Sequence, residues 1–388
     1  MKSKIVSYII FVLLVSCTHH NNKTQDRKGR SIYTMRQVEY KRFPLDENTT
    51  QNTNYTQMCI INGKVCFSLF NPAKYNILVY DFDAETLIDS IQLFKEGPDN
   101  VGNAAQGFLI CSIDSIYVYD QWLGMIYQVN HKGNVVKKID IGKKIVQSNI
   151  DCTIAPVIFP QTNSPIDIVN GNLILQGMSG NIRDCERPVC TTTLLYNFKN
   201  DVVSLINPYP EIYGEHKNIR EKWGTFSYRQ THYTLDKKRT KMIVDFPADD
   251  CIIIYDLKTG GYERIFAGYS VKDVIKVADI KTRASIDEQY YGQTQYVGIY
   301  YDEYNDLYYR LVLHPLNDYD LSNRETLAKK ASVIILDSNF RKVGEYDVPE
   351  RLQGRYAKTF VSKDGLHINC LSEDDDYLKF ITLNPVKL

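Results

Sequence analysis

The 388-residue chain carries no excess of charge, because 46 Lys and Arg residues balance 46 Asp and Glu residues. A balanced charge gives no basic field that would attract nucleic acid. No Cys-x-x-Cys pair occurs, so a zinc or thioredoxin-like site has little support. The composition therefore predicts no nucleic-acid partner and gives no sign of a metal site.

Familiar enzyme signatures are also missing. The sequence contains no His-Glu-x-x-His, no Gly-x-Ser-x-Gly, no P-loop and no Gly-x-Gly-x-x-Gly. The acidic run at residues 373–376 lacks the interleaved ligands and the turn glycine of a calcium loop. It is more typical of a solvated hairpin turn. We therefore expect no catalytic constellation, no cofactor and no metal, which favours a binding protein over an enzyme.

The apolar run at residues 5–15 is too short to cross a membrane, which takes about 20 residues. Lys2 and Lys4 precede it, and Ser16-Cys17 follows at the position of a cleavage site. This segment resembles a bacterial lipobox, in which the cysteine is lipidated and becomes the new N-terminus. We predict a signal peptide over 1–16, lipidation of Cys17 and anchoring in a bacterial membrane, on the periplasmic side or at the cell surface.

The residues after Cys17 are polar and show no apolar periodicity up to Arg30. Such a segment cannot bury a core. We interpret residues 17–31 as a lipidated flexible tether and residues 32–388 as the folded domain.

Long amphipathic helices are missing, and short β-branched and aromatic runs alternate with Gly, Asn and Asp turns, which is typical of an all-β protein. One phrase recurs, an apolar run that ends in Tyr-Asp or a close variant and is followed by a turn. Its copies end at residues 81, 120, 197 and 256, with weaker ones at 337 and 381. Six such units predict a six-bladed β-propeller of four-stranded antiparallel blades, with strand 32–43 closing the ring. A pair of β-sandwiches is the alternative.

The uneven period requires long insertions, chiefly at residues 147–165 and 207–231. The second insertion contains Trp223, Tyr228 and Arg229. Aromatic side chains beside arginines are typical of binding surfaces, so these three residues are binding candidates. The alternative is that the insertion packs as a local core around Trp223.

Two further places are binding candidates. Lys95, Glu96 and Asn100 lie between consecutive blades, where they would line a channel mouth or form a structural Gly-Pro turn. Arg310 lies on a predicted strand and would point into the channel or pair with a neighbouring acid.

Two cysteine pairs are candidate disulfides. Cys59 and Cys66 flank Asn62-Gly63, a favoured two-residue hairpin turn, so counting outward from the turn places them opposite each other. They form either a disulfide or a buried thiol pair. Cys185 and Cys190 lie in one charged loop that a bridge would pin. Cys111, Cys251 and Cys370 fall within apolar strands and are expected to be core thiols.

Three phrases carry a family resemblance, at residues 95–102 (KEGPDNVG), 246–250 (FPADD) and 298–302 (GIYYD) with Tyr308-Tyr309-Arg310. Their order resembles that of uncharacterised bacterial cell-envelope lipoproteins with a TolB-like six-bladed propeller, some of them grouped as a domain of unknown function. The similarity runs from about residue 33 to the C-terminus. It implies the fold and an envelope location, and it brings no established catalytic residues.

Two functional classes follow. The first is a monomeric binding or scaffold lipoprotein that engages an envelope protein, a peptide or a glycan. The alternative is a propeller-fold hydrolase or lyase with a cation or acidic residues at the central channel. Propellers host both classes. Paired acids in the channel would favour the enzyme, whereas an aromatic mouth would favour binding.

Overall fold

The computed structural model describes residues 31–388 except 52, 54, 152–153, 180–189, 215–218, 220–222, 225, 272–274, 276–281, 350–355, 371 and 373. The predicted signal peptide, the lipidation site Cys17 and the tether up to residue 30 lie outside these residues. So does Cys185, one half of the second candidate disulfide.

The described strands form six antiparallel sheets arranged as the six blades predicted from the sequence. The first strand, β1 (Tyr33–Pro44), belongs to the last blade. Blade 1 comprises β2 (Thr56–Ile61), β3 (Lys64–Asn71), β4 (Asn76–Asp81) and β5 (Thr86–Gln92). Blade 2 comprises β6 (Ala105–Ser112), β7 (Ser115–Asp120), β8 (Met125–Val129) and β9 (Val135–Asp140).

Blade 3 has a fifth, two-residue strand that also pairs with β12. It comprises β10 (Val157–Ile158), β11 (Asp167–Val169), β12 (Asn172–Met178), β13 (Thr191–Asn197) and β14 (Val202–Pro208). Blade 4 comprises β15 (His232–Leu235), β16 (Lys241–Asp245), β17 (Cys251–Asp256) and β18 (Tyr262–Phe266). Blade 5 comprises β19 (Gln295–Asp302), β20 (Leu307–Leu313), β21 (Ala331–Asp337) and β22 (Lys342–Asp347).

Blade 6 joins the two ends of the chain. It comprises β23 (Phe360–Ser362), β24 (Gly365–Asn369), β25 (Tyr377–Lys387) and, at its outer edge, β1. The register runs antiparallel from Tyr33 opposite Lys387 to Pro44 opposite Tyr377. The ring is therefore closed by backbone hydrogen bonds, and the predicted closing strand is confirmed.

The apolar core of the described residues is divided into six clusters, and each cluster lies between two adjacent blades. In the cluster where the ring closes, for example, Phe67 of blade 1 packs against Tyr80 of the same blade and against Phe380 of blade 6. A single four-stranded sheet of this kind leaves both faces apolar, so each face must be covered by the next blade. This arrangement explains why consecutive residues of a strand, which point to opposite faces of the sheet, are both apolar.

The recurring Tyr-Asp phrase is a turn signal, and its position in the blade varies. The carboxylate of Asp81 accepts hydrogen bonds from the backbone N–H groups of Asp83 and Ala84 at the end of a third strand. Asp256 does the same for Lys258 and Thr259. Tyr119-Asp120, however, ends β7, a second strand. The shared phrase predicts equivalent positions for Tyr80, Tyr119, Tyr196 and Tyr255, but only the other three lie on third strands, so this prediction was wrong for Tyr119.

Three α-helices lie in the connections between strands. Among the described residues they are α1 (Ile141–Gln147), α2 (Phe226–Arg229) and α3 (Arg283–Gly292), and single 3₁₀ turns occupy Glu211–Tyr213, Arg324–Leu327 and Tyr356–Lys358. Both predicted insertions are present. Two more, at residues 267–294 and 314–330, were not predicted. No helix within the described part of the chain has the length and apolarity to cross a membrane.

Candidate functional site

A cavity of about 660 Å³ lies at the centre of the ring, bordered by residues of all six blades. The innermost strand of each blade contributes to its wall, namely β2, β6, β11, β15, β19 and β23. This volume lies within the range of about 300–1,000 Å³ that is usual for small-molecule sites. The ring axis is therefore a candidate ligand site.

The turn at residues 161–164 spans one end of this channel, where the inner strands begin. The Thr162 hydroxyl accepts a hydrogen bond of 2.8 Å from the backbone N–H of Thr56 in blade 1. The Asn163 side-chain amide donates to the carbonyl of Val297 in blade 5, also at 2.8 Å. The Ser164 hydroxyl donates to the carbonyl of Thr231, directly before blade 4. Because this turn is held by three blades, we call it the plug.

The plug makes the cavity a pocket that opens at the other end, where the hairpins between first and second strands lie. Three polar atoms at the plugged end are buried and have no hydrogen-bond partner among the described residues. They are Asn163 Oδ1, the Tyr300 hydroxyl and the Thr359 hydroxyl, on side chains that are 1%, 7% and 0% exposed. We call these three residues the floor. All three atoms have almost no accessible surface, so the plugged end of the cavity is closely packed.

The backbone of β19 places the Tyr300 phenol on the floor. A bulge between Tyr296 and Gly298 shifts the register against β20. The Tyr300 ring lies against Gly298, where any Cβ atom would clash with the phenol. The Tyr300 and Thr359 hydroxyls are neighbours, although their geometry does not make a hydrogen bond. Burial raises the pKa of Tyr300, so the phenol stays protonated and can donate.

Charged side chains lie along the upper wall and at the mouth. Arg239 forms an ion pair with Asp167 and also donates to the carbonyl of Ile168. Burial raises the pKa of the Asp167 carboxyl, and the Arg239 guanidinium opposes that rise. Asp236, Lys237 and Glu303 line the cavity where the hairpins turn. No group of three or more metal-ligating side chains occurs among the described residues.

Aromatic side chains occupy the mouth. Tyr304 is 55% exposed, and Tyr301 lies beside it with its hydroxyl donating 2.8 Å to Asp306. Ile60 adds an exposed apolar side chain from blade 1. The mouth is therefore partly aromatic and apolar, with the Tyr301 ring packed against Tyr308.

The structure buries the first group of predicted binding residues. Trp223 is fully buried against Tyr213 and Tyr228, and its indole N–H donates 3.2 Å to the Tyr213 carbonyl. The Tyr228 hydroxyl lies within hydrogen-bond distance of two carbonyls. Arg229 donates to the carbonyls of Gly224 and Ser179. The large aromatic rings of this insertion pack between blades 3 and 4. The insertion therefore forms a local core around Trp223, which was the alternative to a binding surface.

Arg310 does not line the cavity. Its side chain is fully buried and pairs with Asp245 of blade 4, which is the second of the two roles considered for it. Lys95, Glu96 and Asn100 do not line the cavity either. Lys95 lies 4.5 Å from the Tyr75 ring, and Asn100 folds back onto the Gly97 carbonyl. The contacts of Lys95 and Asn100 are therefore structural.

The register of the hairpin between β2 and β3 is the one predicted for its two cysteines. Cys59 is paired with Cys66 across the Asn62-Gly63 turn, as predicted, and both are thiols here. Burial raises the pKa of Cys59 to about 12. Cys190 is buried, and its candidate partner lies outside the described residues. Cys111 was expected in the core, but it is exposed on the wall of the central cavity.

Sequence reasoning missed the floor and the plug. Asn163, Tyr300 and Thr359 are far apart in the sequence and belong to no motif, so only the closed ring brings them together. It also missed Trp122, which is 82% exposed in the turn after β7. A signal for Trp122 existed, since Gln-Trp-Leu-Gly stands between two short strands where a polar turn is usual.

Comparison with known proteins supports the fold. A structure of a DUF4221 family member from Bacteroides vulgatus matches with a TM-score of 0.73 and 18% identity, over 92% of this chain and 100% of that one. A protein from Bacteroides fragilis that is described as exported matches with a TM-score of 0.50 and 10% identity, over 91% and 96% of the two chains. A comparison with curated proteins gives no match.

At these identities the two structures show a shared fold only. The family model is more specific, since it matches residues 33–347, which covers five blades and the strand that closes the sixth. This range begins where the predicted resemblance begins. The chain belongs to the DUF4221 family, a domain family of unknown function.

Proposed function

We propose that this protein is an exported, lipid-anchored binding protein of the bacterial cell envelope, and that its ligand enters the central pocket. One observation carries the proposal, the cavity of about 660 Å³ at the ring axis, which the plug closes at one end and residues of all six blades line. Small-molecule sites are usually concave pockets of this size with a few placed polar groups.

A lipid anchor at Cys17 is compatible with a binding site in the central pocket. Lipidation of Cys17 would hold the ring at the membrane through about 14 tether residues, which span at most about 50 Å. The Bacteroides fragilis relative, described as exported, supports a location beyond the cytoplasm. One acyl chain gives only marginal membrane binding, so stable anchoring requires several.

Cys111 allows a test of the pocket without altering its floor. The full-length protein in detergent is alkylated at Cys111 with a bulky maleimide, immobilised and exposed to solubilised envelope material. Retained compounds are identified by mass spectrometry. We expect compounds that the untreated protein retains and the alkylated protein loses. A Cys111→Ser variant treated with the same reagent should retain them. Equal retention by blocked and unblocked protein contradicts a pocket ligand.

A second candidate function rests on Asp167. A carboxyl whose pKa is raised by burial beside a cavity is a candidate general acid, in the hydrolase or lyase class. Its ion pair with Arg239 equally suits a structural role. If the protein is such an enzyme, Asp167→Asn must abolish turnover of the retained compound while binding persists. Unchanged release of the intact compound from both proteins argues against catalysis.

A further inference from the structure

The turn between β7 and β8, at residues 121–124, carries two large apolar side chains in solvent. Trp122 is 82% exposed and Leu123 is 58% exposed. Neither side chain lines the central cavity. Exposed apolar side chains that occur together mark a surface of contact with a protein or a membrane. This turn is therefore a candidate contact surface outside the pocket.

The backbone of the turn is held in place by the rest of blade 2. The carboxylate of Asp120, which is fully buried, accepts hydrogen bonds of 2.8 Å from the N–H groups of Ala104 and Leu123. The N–H group of Ile141 donates to the carbonyl of Gly124 at 3.0 Å. Because the turn is already ordered, little conformational entropy is lost when its side chains make a contact.

A basic segment lies beside the turn, since Ile141 is the first residue of α1. Residues 121–150 include one acid, Asp140, and five lysines, namely Lys132, Lys137, Lys138, Lys143 and Lys144. All of these lysines except Lys144 are exposed. Asp140 caps α1, Asp201 pairs with Lys144, and Asp99 interacts electrostatically with Lys138. The lysines outnumber these three acids, so the surface keeps a positive excess.

Helix α1 combines lysine and apolar side chains on its exposed face. Ile141 and Ile145 are buried, whereas Lys143 is exposed and Val146 is 67% exposed. Residues three positions apart are neighbours on a helix surface, so Lys143 and Val146 share one face. Segments that lie on membranes combine lysines with aromatic and aliphatic side chains in this way.

An anionic membrane complements this surface. Tryptophan is enriched at the level of the lipid headgroups, where its ring is in an apolar layer and its N–H group meets water. Anionic headgroups attract lysines. A side chain that projects from a turn enters a bilayer without a preformed pocket, which a protein partner would have to supply. We propose that the turn at 121–124 and the adjoining lysines dock on an anionic membrane surface, with Trp122 and Leu123 among the headgroups.

This inference rests on the proposed lipid anchor at Cys17, which brings the ring to a membrane. The tether of about 14 residues spans at most about 50 Å. A domain of this size has a radius of gyration of about 20 Å, so the tether is long enough for the docking surface to reach the bilayer. Stable anchoring takes two signals, and a basic surface serves as the second beside an acyl chain.

The chain has two tryptophans, which allow a direct test. The processed lipoprotein is reconstituted on vesicles with brominated acyl chains, which quench a tryptophan that enters the bilayer. One set contains phosphatidylcholine alone, and the other contains equal parts of phosphatidylcholine and phosphatidylglycerol. We expect Trp122 emission to shift to the blue and to be quenched on the anionic vesicles. Trp122→Phe should abolish this change, because Trp223 is fully buried inside the protein.

Lysine variants test the role of charge. Lys138→Gln combined with Lys143→Gln should lower the ratio of docked to undocked protein about 30-fold on the anionic vesicles, as the loss of two lysines near an anionic surface implies. Lys238→Gln combined with Lys258→Gln is the matched control, because both lysines are exposed on blade 4. The control should leave quenching unchanged. Thermal midpoints confirm that both double variants are folded.

Flotation with neutral vesicles judges the anchor, and quenching on anionic vesicles judges the docking surface. Protein that floats with both vesicles without quenching of Trp122 overturns this inference and leaves the anchor standing. Equal quenching in the two double variants also overturns it, because charge would then play no part. Protein that floats and is quenched only with anionic vesicles supports the docking surface and refutes the anchor. Failure to float with either vesicle refutes both.

Discussion

The Arg310 guanidinium on β20 lies 2.8 Å from the Asp245 carboxylate on β16, and both side chains are fully buried between two blades. The other Arg310 N–H groups donate to backbone carbonyls of residues 249, 250, 251 and 267. His232 reaches the second carboxylate oxygen at 3.0 Å. The segment Phe-Pro-Ala-Asp-Asp at 246–250 therefore belongs to the loop whose backbone carbonyls accept hydrogen bonds from Arg310.

Removal of Arg310 should destabilise the ring. Arg310→Met leaves the Asp245 carboxylate buried without its main counter-charge, and breaking a buried pair in this way costs about 3–5 kcal/mol. Urea unfolding measures the loss. Arg341→Met is the control, because Arg341 pairs with Asp337 on the surface, and its loss should cost no more than about 0.5 kcal/mol. Equal stability of the two variants would show that the buried pair contributes little.

The two tryptophans should behave in opposite ways. Trp223→Ala opens a cavity in the core between blades 3 and 4, so we expect a loss of about 3–5 kcal/mol in the free energy of unfolding. Trp122→Ala removes an exposed side chain and should change stability by less than about 0.5 kcal/mol. Chemical denaturation of both variants decides the matter, and a stable Trp223→Ala protein would contradict the core assignment.

His367 should make the protein less stable in mild acid. Burial lowers the pKa of His367 to about 3, with a smaller contribution from Lys41, whereas the unfolded value is about 6.5. Between these values the unfolded chain binds the additional proton. The stability is therefore complete above pH 6.5 and falls by up to about 1.4 kcal/mol per pH unit toward pH 3.

Urea midpoints at several pH values test the prediction for His367. His367→Gln should flatten the dependence below pH 6.5, although it also loses the contacts of the ring nitrogens with Ser362 and Thr382. His131→Gln is the surface control, since that imidazole is 45% exposed beside Asp114. An unchanged slope in His367→Gln would assign the acid sensitivity to other groups.

Gly298 should be intolerant of a side chain. Its Cβ would meet the Tyr300 phenol, so Gly298→Ala should push that ring into the pocket and cost about 1–3 kcal/mol, the usual range for overpacking. A second substitution, Tyr300→Ala, should recover part of the loss. Gly292→Ala, at the end of α3 where a Cβ meets nothing within 4 Å, should be neutral or stabilising. Additive effects of Gly298→Ala and Tyr300→Ala in thermal unfolding would exclude the clash.

Cys111 should be the fastest of the six described cysteines to be alkylated in the folded protein. It is exposed, whereas Cys59 and Cys66 are buried. Burial raises the thiol pKa of all three, which slows the reaction because the thiolate is the reacting species, so access to the reagent decides the order. Peptide mass mapping after a short iodoacetamide pulse at pH 8 tests this order. Protection of Cys59 and Cys66 even after denaturation would show that they form the disulfide proposed from the sequence.

The fold was predictable because its signals are local. Turn residues such as Asp81 and Asn62-Gly63 determine the hairpins through contacts within a few residues. Six hairpin-rich units in turn imply a ring. The same locality explains the error at Tyr119-Asp120, since a carboxylate caps the turn after a second strand as readily as after a third. The sequence indicates the turn but not which strand of the blade precedes it.

The site was not predictable because its signals are long-range. Asn163 meets Val297 across 134 residues, and Tyr300 meets Thr359 only when blades 5 and 6 are adjacent. Composition favoured the segment around Trp223 instead, since aromatics with arginines are common both in interfaces and in cores. Burial separates the two cases, and burial is a property of the assembled ring.

The pairing of β1 with β25 sets an order on biogenesis. Synthesis proceeds from the N-terminus, so β1 has no partner until β25 has been made. Until then blade 6 is incomplete and the apolar edges of blades 1 and 5 are uncovered. Such an open arc exposes unpaired strands that aggregate readily. We therefore expect a variant without β25 to be cleared by proteases rather than to accumulate as a five-bladed protein.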